Sequence, residues 1–236
     1  MAKRFGFTLS GSATHIERLQ SHIKCGFTLS DVLVTLLIIG IVAILTIPQL
    51  INSTNMQELK TSFKKEFSAI AGATNAIIQD NGGVASGAFG TTNLEFLTAL
   101  ATKMNFTQTC NSGVGVCWHP ANVIKFYDGN TDSGDYSGNC SARSIDGALW
   151  SLQLVTSDCS NSPSSPYGGR CAAITVDVNG FKGPNMYGVD IFRAEITQIG
   201  ASPSGQFFYS GNCSKNDHTG RSGYGCAVNI LNNTNY

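Results

Sequence analysis

Charge is scarce in this chain of 236 residues. Asp, Glu, Lys and Arg make up 13% of it, and from Val32 through Gln57 there is none. Histidine is rarer still: His15 and His22 precede that run, while His119 and His218 stand singly in Gly-rich and Asn-rich loops, where a solvated imidazole is expected. No Gly-x-Ser-x-Gly, His-Glu-x-x-His, Walker loop or dinucleotide fingerprint occurs. The chain is therefore not expected to be an enzyme. No Cys-x-x-Cys occurs either, and His119 near Cys117 has no second histidine beside it, which argues against the closely spaced ligands of a zinc site. Fifteen basic residues balance fifteen acidic ones, so nucleic-acid binding gains no support.

What the chain does have is an unbroken apolar run. Leu, Ile and Val dominate from Val32 to Ile51, enough for a helix to cross a bilayer, which takes ~20 apolar residues. Asp31 lies at the head of this run, where a carboxylate in hydrocarbon costs several kcal/mol unless it meets a cation. No Lys or Arg in the segment can supply one. An α-amino group at Phe27, made by cutting the chain after Gly26, would be such a cation, and in a helical array it could lie against Asp31 of the next copy. Four basic residues and one acid precede that junction; eleven basic and fourteen acidic residues follow it. A basic flank before the run places the N-terminus in the cytoplasm and the rest beyond the membrane. A secretory signal peptide fits less well, because its apolar core is shorter, about 7–15 residues, and its cleavage site follows that core.

Lys24-Cys25-Gly26 before Phe27-Thr28-Leu29-Ser30-Asp31, then the apolar run and Pro48, resembles the cleavage and methylation signal of type IV prepilins and of type II secretion pseudopilins. The resemblance implies a prepilin peptidase that cuts between Gly26 and Phe27 and methylates the Phe27 amine. It also implies single-pass residence in a bacterial inner membrane, an assembly platform there, and polymerisation with other pilins or pseudopilins through the apolar helix. The family usually carries Glu where this chain has Asp31, one methylene shorter. Gly6-Phe7-Thr8-Leu9-Ser10 duplicates Gly26 to Ser30 but is followed by Gly11 and a polar stretch, so it cannot start the membrane helix.

The organisation expected is a leader over 1–26, a transmembrane or filament-core helix over 27–51, its amphipathic continuation over 52–82, and a periplasmic or extracellular domain over 83–236. The fold class is α+β: a long N-terminal helix packed on a small antiparallel sheet with disulfide-bounded loops, the arrangement the pilin resemblance also implies. Ser30 can cap the helix and Pro48 should kink or locally unwind it. Leu59, Phe63, Phe67, Ile70, Thr74 and Ile77 recur at steps of three and four, with Lys60, Lys64, Lys65 and Glu66 elsewhere. Asn81-Gly82-Gly83 ends it. A short helix over Asn93–Lys103 begins at an Asn or Thr cap. Strands are expected at Val123–Tyr127, Ala148–Val155 and Cys171–Val178, with a closing strand near Phe207-Phe208-Tyr209 and a short helix or strand over Ala227–Leu231.

Seven cysteines follow the junction, in a compartment that favours disulfides. Short separations suggest Cys110 with Cys117, Cys159 with Cys171 and Cys213 with Cys226, leaving Cys140 over; spacing alone leaves the connectivity open. The stretch from Asp177 to Phe192 holds two turn signals, Asn179-Gly180 and Gly183-Pro184-Asn185, and resembles a loop seen in many pilin-like proteins. Asp177, Asn179, Asn185 and Asp190 could offer hard oxygen ligands to calcium. The spacing is not that of an EF-hand, and Asn and Asp also form metal-free turns through their own backbone. Asp128, Asp132 and Asp135 are expected in a solvated loop. The reading from a different class is a membrane-tethered binding protein that never polymerises and presents the 177–192 loop.

Overall fold

The computed structural model describes residues 28–161 and 169–234, without the side chains of 47–54. Gly26 and Phe27, and with them the leader and its junction, lie outside the described residues. The chain divides between Gln49 and Leu50 into two compact units. Helix α1 (Leu29–Asp80) belongs to both. Helical backbone passes through Pro48, and its side chain lies outside the described residues.

In the first unit α1 is apolar on every side. Leu29–Thr46 is long and apolar enough to cross a membrane, and none of it is buried. A helix that is apolar all round, rather than along one stripe, has no preferred soluble face to bury.

In the second unit α1 carries one buried stripe: Phe63, Glu66, Ile70, Ala73, Thr74, Ile77 and Ile78. The three-and-four spacing expected of Phe63, Ile70, Thr74 and Ile77 is met. Phe67 is only partly buried, however, and Glu66, expected on the polar side, belongs to the stripe. The helix stops where expected: Gly82 and Gly83 have φ of 73° and 83°, and the Gly83 N–H donates to the Ile78 carbonyl at 2.8 Å, a left-handed ending that glycine adopts without penalty.

Helix α2 (Asn93–Ala101) begins at the Thr92 cap, whose hydroxyl accepts the Glu95 N–H, and buries Phe96, Leu97 and Leu100. Strands β1 (Phe106–Cys110), β2 (Cys140–Ser144), β3 (Leu149–Leu154), β4 (Arg170–Asp177), β5 (Ile191–Thr197) and β6 (Gly200–Pro203) follow, and helix α3 (Cys226–Leu231) comes last. The six strands form one antiparallel sheet in sequence order. Every neighbour in the sheet is also the neighbour in sequence, so the sheet needs no crossover connection. The unit is α+β, with a helix of the expected kind and an antiparallel sheet.

Register assigns the two sheet faces. Ala142, Trp150, Val176 and Phe192 align across β2 to β5, as do Leu152, Ile174 and Ala194. This face joins the α1 stripe in one core, with the Phe63 and Phe192 rings 4.6 Å apart. Full burial of each such side chain stabilises by about 1.5–3 kcal/mol. On the opposite face Ser141, Ser151, Thr175 and Arg193 align in the same way, yet these strands are buried there too, beneath the long loops.

Two strand expectations fail. Val123–Tyr127 contributes only isolated bridges at Lys125; its Ile124 and Phe126 instead fill a second small core with Trp118, Leu149, Tyr187 and Ile191. Phe207 to Tyr209 form bends, and the sheet closes on β6, seven residues earlier. The apolar residues at both places are spent on loop packing rather than on a ladder.

Candidate functional site

The described part of the first unit begins at Thr28. Its side-chain oxygen Oγ1 accepts the Asp31 N–H at 3.2 Å, and Asp31 Oδ2 accepts the Thr28 N–H at 3.1 Å. This reciprocal pair is a capping box, which satisfies two of the helix's orphan amides at once. Thr28 thus caps α1, and Ser30, expected in that role, is one residue inside the helix. The acid also suits the positive end of the helix dipole. Asp31 Oδ1 takes no part in this pair.

The 177–190 loop gathers the four oxygen-bearing residues singled out from the sequence. Asp177 and Asp190 are fully buried. Asp177 Oδ2 lies 2.8 Å from His119 Nε2, and its Oδ1 accepts the Asn179 N–H at 3.1 Å. Asp190 accepts the N–H groups of Asn185 at 2.8 Å and Met186 at 2.7 Å. Protein donors therefore engage both carboxylates and shape the turn. Burial pushes Asp177 up to about 6 against the pull of His119, with Asp190 adding like-charge repulsion; burial likewise raises Asp190 against those two amides. Among the described residues no group of three or more His, Cys, Asp or Glu is placed to hold a metal ion.

His119 is a correction: it is 1% exposed, not solvated, with Trp118 and Phe181 edge-on to its ring. His218 is exposed and sits 3.3 Å from Asp128. Asp132 is a second correction. It is buried, accepting the Gly134 N–H at 2.8 Å and the Tyr136 hydroxyl, which also contacts the Tyr187 hydroxyl at 2.8 Å. Of its partners in the sequence cluster, Asp135 is exposed, whereas Asp128 is half-buried with its side chain 1% exposed beside His218; both bind their own loop amides.

Three disulfides join Cys110 to Cys117, Cys159 to Cys171 and Cys213 to Cys226, and Cys140 remains a buried thiol. Cys140 Sγ is 3.3 Å from Asn111 Oδ1.

Two charged clusters were not foreseen. On the loop-covered sheet face, Glu195 is fully buried between two guanidiniums: Arg193 Nε donates to it at 2.7 Å and Arg170 Nη1 at 3.3 Å. Tyr209 and Tyr224 stack on Arg193. On the helix side, Glu66 meets Asp146 of the β2–β3 turn. Burial first, then the neighbouring Asp146 carboxylate, push Glu66 up to about 8, against Lys65. Asp146 is held below the ordinary carboxylate range by Glu66, Lys65 and Ser144, despite its own desolvation. The two neighbouring carboxyl groups thus titrate as a pair, with Glu66 shifted up and Asp146 shifted down. A period-two reading of Phe192-Arg193-Ala194-Glu195-Ile196 could have found β5 and placed Arg193 and Glu195 on one face. The pairing of Glu66 with a turn eighty residues later leaves no local trace.

Comparison with family models, with curated proteins and with solved structures finds no match to this chain.

Proposed function

We propose that this chain is a structural subunit of a type IV pilus or type II secretion pseudopilus. It is cut after Gly26, N-methylated at Phe27, held in a bacterial inner membrane by its apolar helix, and then polymerised through that helix with further pilin-like subunits. The observation that carries this reading is the division of labour within α1. Its first eighteen residues are apolar apart from Asp31 and a few hydroxyls, and none is buried, whereas from Phe63 the same helix seats one stripe on a sheet. Exposed apolar area on that scale calls for lipid or for other copies of the chain. A lone acid at its head, with Oδ1 outside the capping pair, offers the second copy a charged contact. The sheet and its three disulfides form the part displayed outside the membrane.

A second reading has one observation in its favour. Asp31 is already satisfied by the Thr28 amide, so a monomeric anchor near the membrane surface would tolerate it without a partner. The tethered protein would then present the 177–192 loop, beside a groove of about 720 Å³ lined by Leu59, Lys65, Lys182 and Pro184.

Mass spectrometry of the N-terminus tests the first step: a methylated Phe27 start is expected, and an intact Met1 or another start refutes processing. Shearing separates the two readings. A polymer is released into the soluble fraction, whereas a tethered monomer stays with the membrane pellet.

A further inference from the structure

The loop-covered face of the sheet holds a polar cleft of about 180 Å³. Its floor is the transverse row Ser151, Thr175 and Arg193, joined by Gln153 of β3; Ala173, with no side chain beyond its methyl, leaves the depression. Tyr136 and Tyr224 form walls. The volume is well below the ~300–1,000 Å³ of sites for drug-sized ligands, which limits an occupant to about one sugar ring.

Among the polar groups here Arg193 only donates, Asp135 only accepts, and the hydroxyls and side-chain amides can do either. Asn139 Nδ2 donates to Ser151 Oγ at 2.9 Å, so the Ser151 hydroxyl proton is left to point elsewhere. Arg193 Nε is taken by Glu195, while among the described residues its two terminal amino groups have no hydrogen-bond partner. Glu195 and the rings of Tyr209 and Tyr224 fix the guanidinium in place. Glu195 answers both Arg170 and Arg193, so the cluster keeps one positive charge unmatched. Asp135 at the rim is turned to the Ser137 N–H. A preorganised guanidinium with free donors is matched by a carboxylate, and adjacent hydroxyl and amide groups are matched by ligand hydroxyls.

We infer that this cleft binds a single carboxylated sugar unit of hexuronate size, with its acid on the terminal amino groups of Arg193 and its hydroxyls on Thr175, Ser151 and Gln153. This inference does not depend on polymerisation: a tethered monomer would present the same cleft.

The test is calorimetric titration of the full chain in detergent micelles with galacturonate, glucuronate and galactose. Saturable binding of a hexuronate is expected, at least about tenfold tighter than galactose because the charge-assisted contact is lost with the neutral sugar. Thr175→Val and Gln153→Ala leave the Arg193–Glu195 pair untouched and should each weaken hexuronate binding by about fivefold to tenfold, with unchanged near-ultraviolet circular dichroism. Absence of saturable binding, equal affinity for galactose, or full affinity in both variants would each overturn the assignment.

Discussion

Replacing Phe63 by alanine probes the register in which α1 meets the sheet. Phe63 is completely buried and its ring lies 4.6 Å from that of Phe192 on β5. Phe67, one turn on and 6.1 Å from Phe63 between ring centres, is only partly buried. Removing a buried phenylalanine takes away its transfer free energy and leaves a cavity, together about 3–5 kcal/mol. Phe67→Ala gives up a fraction of that, about 1 kcal/mol, because much of its surface is already wet. For a unit of this size each kcal/mol moves the midpoint by about 2–4 °C. Near-ultraviolet circular dichroism melts of the full chain in micelles should thus show Phe63→Ala lower than wild type by about 6–20 °C, with Phe67→Ala within a few degrees. Equal losses in the two variants would mean that the stripe is rotated and that Phe63, Glu66 and Ile70 do not share the buried face.

Glu66 makes that face pH-dependent. Its folded pKa of about 8 stands above the ordinary 4.5, so between those values the folded state holds a proton that the unfolded state has released, and stability falls as pH rises through the window. Asp177, raised to about 6, acts in the same direction but only below that point, and Asp190 is raised as well, so the difference between wild type and Glu66→Gln in melts from about pH 6.5 to pH 8.5 reads Glu66; Glu66→Gln should flatten the fall, and an unchanged slope would refute the assignment. Glu195→Ala strands two guanidiniums on a buried face and should destabilise by about 3–5 kcal/mol. A loss under about 1 kcal/mol in thermal melts would show that solvent reaches the cluster.

The parts of this fold that were legible were those whose signal is local. The three-and-four spacing located Phe63, Ile70 and Ile77, the double glycine located the end of α1, a short apolar run located β3, and the alternation of Ile174 and Val176 located β4. The short cysteine separations coincide with the three disulfides. Strands β2, Cys-Ser-Ala-Arg-Ser, and β6, Gly-Ala-Ser-Pro, carry no β propensity to speak of; neighbours in the sheet impose them. Val123–Tyr127 shows the reverse, a strand-like run drawn into a loop core by Trp118 and Tyr187. His119 looked solvated because its partner, Asp177, lies fifty-eight positions away. The capping box at Thr28 and Asp31 is present in the sequence at the right spacing, so the acid has an amide partner three residues before it as well as any distant cation.

That amide makes Asp31→Asn the sharpest test of the charge pairing. Alanine would remove both the cap and the charge, whereas asparagine keeps an oxygen for the Thr28 N–H and removes only the charge. If the acid meets the amine of a neighbouring copy, Asp31→Asn chains should be cut and methylated at Phe27 as in the wild type but enter sheared filaments at least about tenfold less, the loss of a charge-assisted contact. Incorporation at the wild-type level would contradict the account and leave Asp31 as a helix cap alone.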